Sequence, residues 1–560
     1  IVECLPATWD RWGFEHMSKE DTVETCRKIF EKHLGGHELI SNAAHLRGSA
    51  VWMQFPRVIC EKWYNENVVL MGDAAATGHF SIGSGSRLAF DSAIELAEYL
   101  HSEPTLEGAF ERYQAERRLE VLRLQSAARN SLEWFEEVER YLDMPPTQFA
   151  YSLLTRSQRI SHENLRLRDP KWLRQAEDWF QEQSGGTPGR APMFAPFRIG
   201  QMELVNRIVV SPMAQYKAVD GCPTDWHFAH YAERAKGGAG LVYVEMTCVS
   251  PEGRITLGCP GLYAPEHEVA WKRLVDFVHA ETKAKLCCQI GHSGRKGSTQ
   301  LGWEEGDAPL AQGNWPVMSA SAIPWSEGNA VPKAMTRADM DAVRDQFVAS
   351  TKMAARAGFD MIELHAAHGY LISSFISPKS NIRDDDYGGT LENRLRWPLE
   401  VFRAMRAAWP EEKPMSVRIS ASDWVGDEGV TPEEAVEIAK AFAAAGADII
   451  DVSAGQTSAD AKPVYGRMFQ TPFSDRIRNE AGLATIAVGN ITEADQVNGI
   501  LLAGRADLVA LARPHLADPY WTLHAAVKAG DESVFWPNPY LNGRDQALRL
   551  QARAQEVIRV

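Results

Sequence analysis

Cysteine is sparse and stops early: the 560-residue chain has 8, the last is Cys288, and no two stand as Cys-x-x-Cys. No cysteine run is left in the second half for an iron–sulfur cluster, and no secreted-type disulfide framework exists. The thiols read as reduced, in a cytoplasmic protein. No signal peptide and no apolar run of membrane-spanning length occur, so no membrane partner is expected. Positive charge is also short, with 59 Lys and Arg against 74 Asp and Glu. A net charge of −15 argues against nucleic acid or an anionic membrane surface as a partner, while a local Arg cluster can still hold a small anion. No Gly-x-Gly-x-x-Gly follows an N-terminal strand, and the chain opens on Ile1-Val-Glu-Cys4 without an initiator Met, as if cut into the middle of a strand. What is present is ordinary for a globular protein, 45% hydrophobic and 24% charged, at a length that suggests two to four domains.

Near the start, the apolar strand Val68–Met71 leads into Gly72-Asp73, and the loop Ser81-Ile-Gly83-Ser-Gly85-Ser opens a helical pattern from Arg87 to Leu100. Residues 105–182 read as helical and charged, with Trp134, Phe135, Trp172 and Trp179 packing on a neighbouring surface. The breaker cluster Ser184–Gly189 reads as a linker. From Ala191 onward strands and helices alternate. The candidate strands are Arg207–Val210, Gly240–Glu245, Lys285–Gln289, Met361–Leu364, Met415–Ile419, Ile449–Val452, Thr485–Val488 and Leu508–Leu511, and the best amphipathic helix is Arg337–Ala357. This is an α/β pattern that favours a (β/α)8 TIM barrel over a doubly wound sheet, which would need the missing glycine fingerprint.

Chemistry gathers at the ends of these strands. Met361-Ile-Glu-Leu-His365-Ala-Ala-His368-Gly-Tyr370 puts two imidazoles and a phenol at the end of strand four. Three readings are open for it: a metal pair, two structural histidines, or two N–H donors to one oxygen. No further ligand cluster lies nearby, and Asp384-Asp385-Asp386 looks like a solvated turn. Strand one runs into Ser211-Pro-Met-Ala-Gln-Tyr216, strand three ends at Gln289 before His292, and strand five carries Arg418. Gly489-Asn490 and Ala512-Arg513 follow strands seven and eight, where this fold usually cradles a phosphate.

Residues 191 to about 525 resemble the old yellow enzyme family of FMN-dependent ene reductases, in its bacterial, thermophilic-type branch. The matching runs include Arg207-Ile-Val-Val-Ser-Pro-Met213, Gln289-Ile-Gly-His-Ser-Gly-Arg-Lys296, Glu363–Tyr370, Ser377–Arg383, Asp386–Arg394, Val417–Asp423 and Gly504–Asp507. The resemblance implies FMN held by Ser211, Pro212, Met213, Ala214, Met246, Gln289, Arg418, Gly489, Asn490, Ala512 and Arg513. It implies NAD(P)H as reductant, and His365 and His368 gripping the oxygen of an enone or thioester while hydride passes to the β-carbon. Tyr370 or Tyr216 would assist protonation. Ala214 departs from the branch, which carries a flavin-tuning cysteine there. A homo-oligomer, a dimer, is the family expectation, with the tail Trp536–Arg544 reaching a neighbouring subunit or lying on the surface.

Gly72, Asp73, Gly83 and Gly85 resemble the second FAD motif of class A flavoprotein aromatic hydroxylases, in the subgroup acting on aromatic acyl-CoA thioesters. The first FAD motif is missing, so either FAD is not held normally or an upstream part completes the site. The expected organisation is residues 1–130 as the C-terminal portion of an FAD-dependent α+β hydroxylase domain, 131–190 as a helical connector, 191–530 as the FMN barrel and 531–560 as a tail. That order resembles fusions of the 2-aminobenzoyl-CoA monooxygenase/reductase type: a bifunctional enzyme that hydroxylates an aromatic acyl-CoA and then reduces its ring. The alternative is a stand-alone FMN ene reductase of activated enones whose N-terminal piece is not catalytic.

Overall fold

The computed structural model describes residues 2–40, 52–54 and 57–558. The chain divides into two compact units, one of Ile1–Met144 with Leu153–Ile160 and one of Pro145–Ser152 with Ser161–Val560.

In the first unit Val2–Leu5 are not a strand and lead directly into the helix Pro6–Trp12; Ile1 lies outside the described residues. The expected strand at Val68–Met71 is shorter, a hairpin of Tyr64–Asn65 against Val68–Val69. It is the unit's only named sheet among the described residues. The helix Leu106–Glu136 dominates instead. Thr105 accepts a hydrogen bond from the Gly108 N–H at its start, and Ala109, Phe110, Tyr113, Arg117 and Val121 recur on its buried face at helical spacing. Tyr113 and Val121 pack there with Trp63, Ala75, Leu88 and Tyr99. Trp134 does pack as its position suggests, stacking on Tyr141 at 5.2 Å.

The second unit is a closed, parallel, eight-stranded barrel. Its strands are β1 (Ile208–Val210), β2 (Leu241–Cys248), β3 (Lys285–Gly291), β4 (Met361–Ala366), β5 (Met415–Ser420), β6 (Ile449–Ser453), β7 (Thr485–Ala487) and β8 (Leu508–Leu511). Each was legible as a short apolar run because a parallel strand is covered on both faces and cannot alternate with polar residues. The expected helix Arg337–Ala357 is present with the same ends. Thr336 accepts from the Asp339 N–H in a capping box, and Gly358, at φ +93°, takes the left-handed turn that ends it.

The N-terminal end of the barrel is plugged by the hairpin Phe197–Ile199/Met202–Leu204. Ile199, Met202 and Leu204 pack there with Val209, Leu241, Met361, Ile449, Ile486 and Leu508. The breaker cluster before it is anchored, since the Arg207 guanidinium donates to Ser184 Oγ at 2.8 Å. The segment read as a tail ends in a helix, Leu541–Ile558. No helix among the described residues is long and apolar enough to cross a membrane.

Candidate active site

Strand register decides which side chains meet at the open end of the barrel. Glu363 on β4 pairs with Gln289 on β3, His365 pairs with Arg418 on β5, and Arg418 pairs with Asp451 on β6. Gln289 Nε2 donates to Glu363 Oε1 at 2.9 Å, and Ser416 Oγ donates to Glu363 Oε2 at 2.8 Å. Gln289 therefore sits at the floor of the site with its amide already engaged by a carboxyl. Burial pushes the Glu363 and Asp451 carboxyls up, and Asp451 adds like-charge repulsion to Glu363. Arg418 Nε faces Asp451 Oδ2 across 3.5 Å, an ion-pair contact without hydrogen-bond geometry, and is otherwise buried.

Above this layer stand the histidines. His365 lies inside β4, one residue beyond the expected strand end, and its Nδ1 accepts from the Ala367 N–H at 3.3 Å. That acceptance leaves the ring proton on Nε2. His368 follows the strand at φ +63°, its N–H donates to Ser420 Oγ at 2.9 Å, and its Nε2 lies 2.8 Å from Ser453 Oγ. The two rings are 5.1 Å apart, and Tyr370 stands 4.9 Å from His365 and 6.4 Å from His368. Burial, then the Arg418 charge, holds both imidazoles well below their usual range, so they are neutral rings with one N–H each. Burial pushes the Tyr370 phenol up, and Tyr216 likewise. Both tyrosines pack on the cluster of Met246, Cys248, Ile255 and Cys259.

The remaining expected cofactor contacts ring the same mouth. Ser211 donates its N–H to the Leu511 carbonyl at 3.1 Å, and Pro212, Met213 and Ala214 continue from β1. Gln215 fixes that segment, its N–H reaching Glu245 Oε2 at 2.8 Å. Met246 lies where the β2–β3 register breaks, which turns its side chain across Gly291; a Cβ there would come within 2.7 Å of the Met246 sulfur. Gly489, at φ +116°, and Asn490 follow β7. Ala512 precedes the helix Arg513–Ala517, whose first residue, Arg513, is exposed. These residues fit a flavin, because the buried Arg418 guanidinium would suit an electron-rich ring edge and the exposed Arg513 at the strand-eight turn would suit a phosphate. Gly72, Asp73, Gly83 and Gly85 belong to the other unit. Gly72–Ala74 is a single 3-10 turn with Asp73 exposed, and Gly83 ends another such turn ahead of the helix Gly85–Ser102.

Sequence reasoning left Lys296, Arg295, Trp325, Glu363 and Asp451 without roles. Lys296 Nζ donates to the His368 and Gln456 carbonyls, each at 3.2 Å, and lies 3.9 Å from the centre of the Trp325 ring. Burial pulls its ammonium down to about 8. The available signal for the two acids was a carboxylate inside an otherwise apolar strand. His292 Nδ1 accepts from the Gly294 N–H at 3.0 Å.

The C-terminal strand ends of this parallel barrel thus gather two neutral imidazoles, a phenol and an arginine facing a buried aspartate. The family model of the NADH:flavin oxidoreductase / NADH oxidase family matches residues 192–532, and the chain belongs to that family. It is an NAD(P)H-dependent flavin oxidoreductase with an old yellow enzyme-type barrel. It is 42% identical over 340 residues to an NADPH dehydrogenase of Geobacillus sp. (strain WCH70), covering 60% of this chain and 94% of that protein. It is 39% identical over 349 residues to an NADPH dehydrogenase of Clostridium acetobutylicum, covering 62% and 98%. Among solved structures, morphinone reductase is similar with a TM-score of 0.51 and 25% identity, covering 62% of this chain and 93% of that one. A complex of 2-naphthoyl-CoA reductase with 2-naphthoyl-CoA gives 0.54 and 25%, over 61% of this chain and 53% of that one, so the chain spans about half its length. The family match begins after the Gly72–Gly85 region.

Proposed function

We propose that this protein is an FMN-dependent ene reductase that uses NAD(P)H to reduce the activated C=C bond of an enone. The observation that carries this reading is the neutral pair His365 and His368 set around Tyr370 above Arg418. FMN, when bound, supplies the hydride that reaches the β-carbon. Ser211, Pro212, Met213, Ala214, Met246, Gln289, Gly489, Asn490 and Ala512 line the mouth that would hold it, with Arg418 at its electron-rich edge and Arg513 at its phosphate. His365 Nε2–H and His368 donate to the substrate carbonyl, drawing electron density from the alkene and stabilising the enolate oxygen, a type of contact that contributes roughly 10²–10³-fold per donor. Tyr370, kept protonated by burial, gives the proton that completes the α-carbon, and Tyr216 closes the same wall.

The sequence expectation of a hydroxylase half, with FAD at Gly72, Asp73, Gly83 and Gly85 and a 2-aminobenzoyl-CoA-type substrate, draws no support from the family match or the relatives described. It is not part of the proposed function. The test is to denature the protein, identify the released flavin by chromatography, and follow NADPH and NADH oxidation with 2-cyclohexenone. FMN near one per chain with enone-dependent turnover is expected. FAD alone, or complete inertness toward enones, overturns the reading.

A further inference from the structure

Beside the histidine pair, on the side of β6, lies a cleft of about 360 Å³ that the mechanism above leaves unused. His368 and Ser453 form its inner edge, and Trp325, Trp424, Tyr465 and Phe469 form its walls. Among the described residues, none of those expected to hold FMN lines it, and no Asp, Glu, Lys or Arg side chain does. Its volume falls within the range of about 300–1,000 Å³ that suits a ligand larger than a simple cyclic enone.

The walls are built into the fold. Trp424 packs against Phe469 at 6.5 Å and 27°, and meets Phe473 edge-on at 5.5 Å. Tyr465 meets Phe469 at 5.3 Å and 66°. Two buried cations tie the contributing loops together. Arg295 donates to the Ile323 and Pro324 carbonyls next to Trp325, and to the Thr457 carbonyl after β6. Lys296 links Gln456 to His368 beneath the Trp325 ring. Trp424 and Gln456 both adopt left-handed backbone, as His368 does, a conformation that surrounding contacts must enforce. Gly455, at φ +74°, is needed for the fit, because a Cβ there would lie 2.9 Å from Trp424 Cδ1. Flat, uncharged walls of this kind favour an aromatic ring through offset and edge-on contacts.

We infer that this cleft receives a flat, uncharged aryl group carried next to the substrate carbonyl, so that aryl-bearing enones are the preferred substrates. The inference rests on the ene reductase reading, because His368 joins the cleft to the carbonyl grip. A matched pair of substrates tests it: (E)-1-(2-naphthyl)but-2-en-1-one and (E)-pent-3-en-2-one share the same reacting alkene and differ only in the group on the carbonyl. The wild-type ratio of kcat/KM, naphthyl over methyl, is expected to be at least tenfold. Trp424→Ala and Phe469→Ala should each cut that ratio tenfold or more, and Gly455→Ala should lower it by displacing Trp424. A wild-type ratio at or below one, or a ratio unchanged in both aromatic variants, overturns the inference. Tyr465 is 70% exposed, so Tyr465→Ala tests the rim even if an inner variant fails to fold. If neither ketone is reduced, the ene reductase reading has failed, and binding decides the cleft on its own. Calorimetric titration with 2-acetonaphthone should then weaken tenfold in Trp424→Ala, and equal affinity in the two proteins overturns the cleft assignment.

Discussion

One strand shows both ends of the barrel. On β4 the side chains of Met361, Glu363 and His365 follow one another along the inward face. Met361 packs into the apolar floor with Leu241, Ile449 and Leu508. His365, two pleats higher, has Arg418, His368 and Tyr370 for neighbours. The floor gains stability from complementary apolar shape. The mouth accepts a cost, holding an arginine Nε without a hydrogen bond and two carboxyls raised by burial, Glu363 further raised by Asp451. The left-handed residues Tyr216, His368, Trp424 and Gln456 also gather at the mouth. The contrast teaches that the two ends are specialised, and substitutions on the same strand should separate activity from stability.

The largest separation is expected at the top. His365→Ala combined with His368→Ala should lower kcat/KM for 2-cyclohexenone by at least ~10³-fold, since both carbonyl donors are lost. Bound FMN and the melting temperature should change little, and retained turnover in this variant would falsify the donor role. At the bottom the pattern should invert. Met361→Ala removes a fully buried side chain and should cost about 3 kcal/mol in urea unfolding, while kcat holds within a few-fold.

Glu363, between them, sharpens the comparison through pH. Burial pushes its carboxyl from the usual 4.5 up to about 8, so the folded chain keeps a proton that the unfolded chain releases. Stability from this group is therefore lost as pH rises from the unfolded value towards the folded one. Glu363→Gln should flatten that decline when unfolding free energies are compared at either end of the window; an unchanged slope would assign the decline to other groups. The smallest effect belongs to a site at neither end. Thr336→Ala removes the cap of the helix Arg337–Ala357 and should cost about 1 kcal/mol with no change in KM. A change in KM there would break the division between mouth and scaffold.

The eight barrel strands and the helix Arg337–Ala357 were legible because each is a local pattern: an apolar run of strand length, or apolar residues at helical spacing between a capping Thr and a Gly. The histidine pair and Tyr370 were legible because they occur together in one short run. The N-terminal unit lies outside the family match, which begins at residue 192. Gly72 and Asp73 lie in one 3-10 turn, Gly83 caps a second, and Gly85 opens the helix Gly85–Ser102, positions that small or turn-forming residues fill in many folds. The C-terminal segment was missed as a helix because Pro537, Asn538, Pro539 and Gly543 around its start read as breakers.

The sequence by itself determined the barrel, its strand order and the histidine pair at the end of strand four, since strand length, apolar content and short motifs are properties of neighbouring residues. Only the tertiary structure decided the electrical state of those imidazoles and what surrounds them. Arg418 and Lys296 come from strands and loops far along the chain, yet together with burial they keep both histidines neutral. The aromatic cleft has the same origin. Trp325, Trp424 and Phe469 are scattered over separate loops and become one wall only when the barrel closes, with Arg295 tying the Trp325 segment to the one after β6.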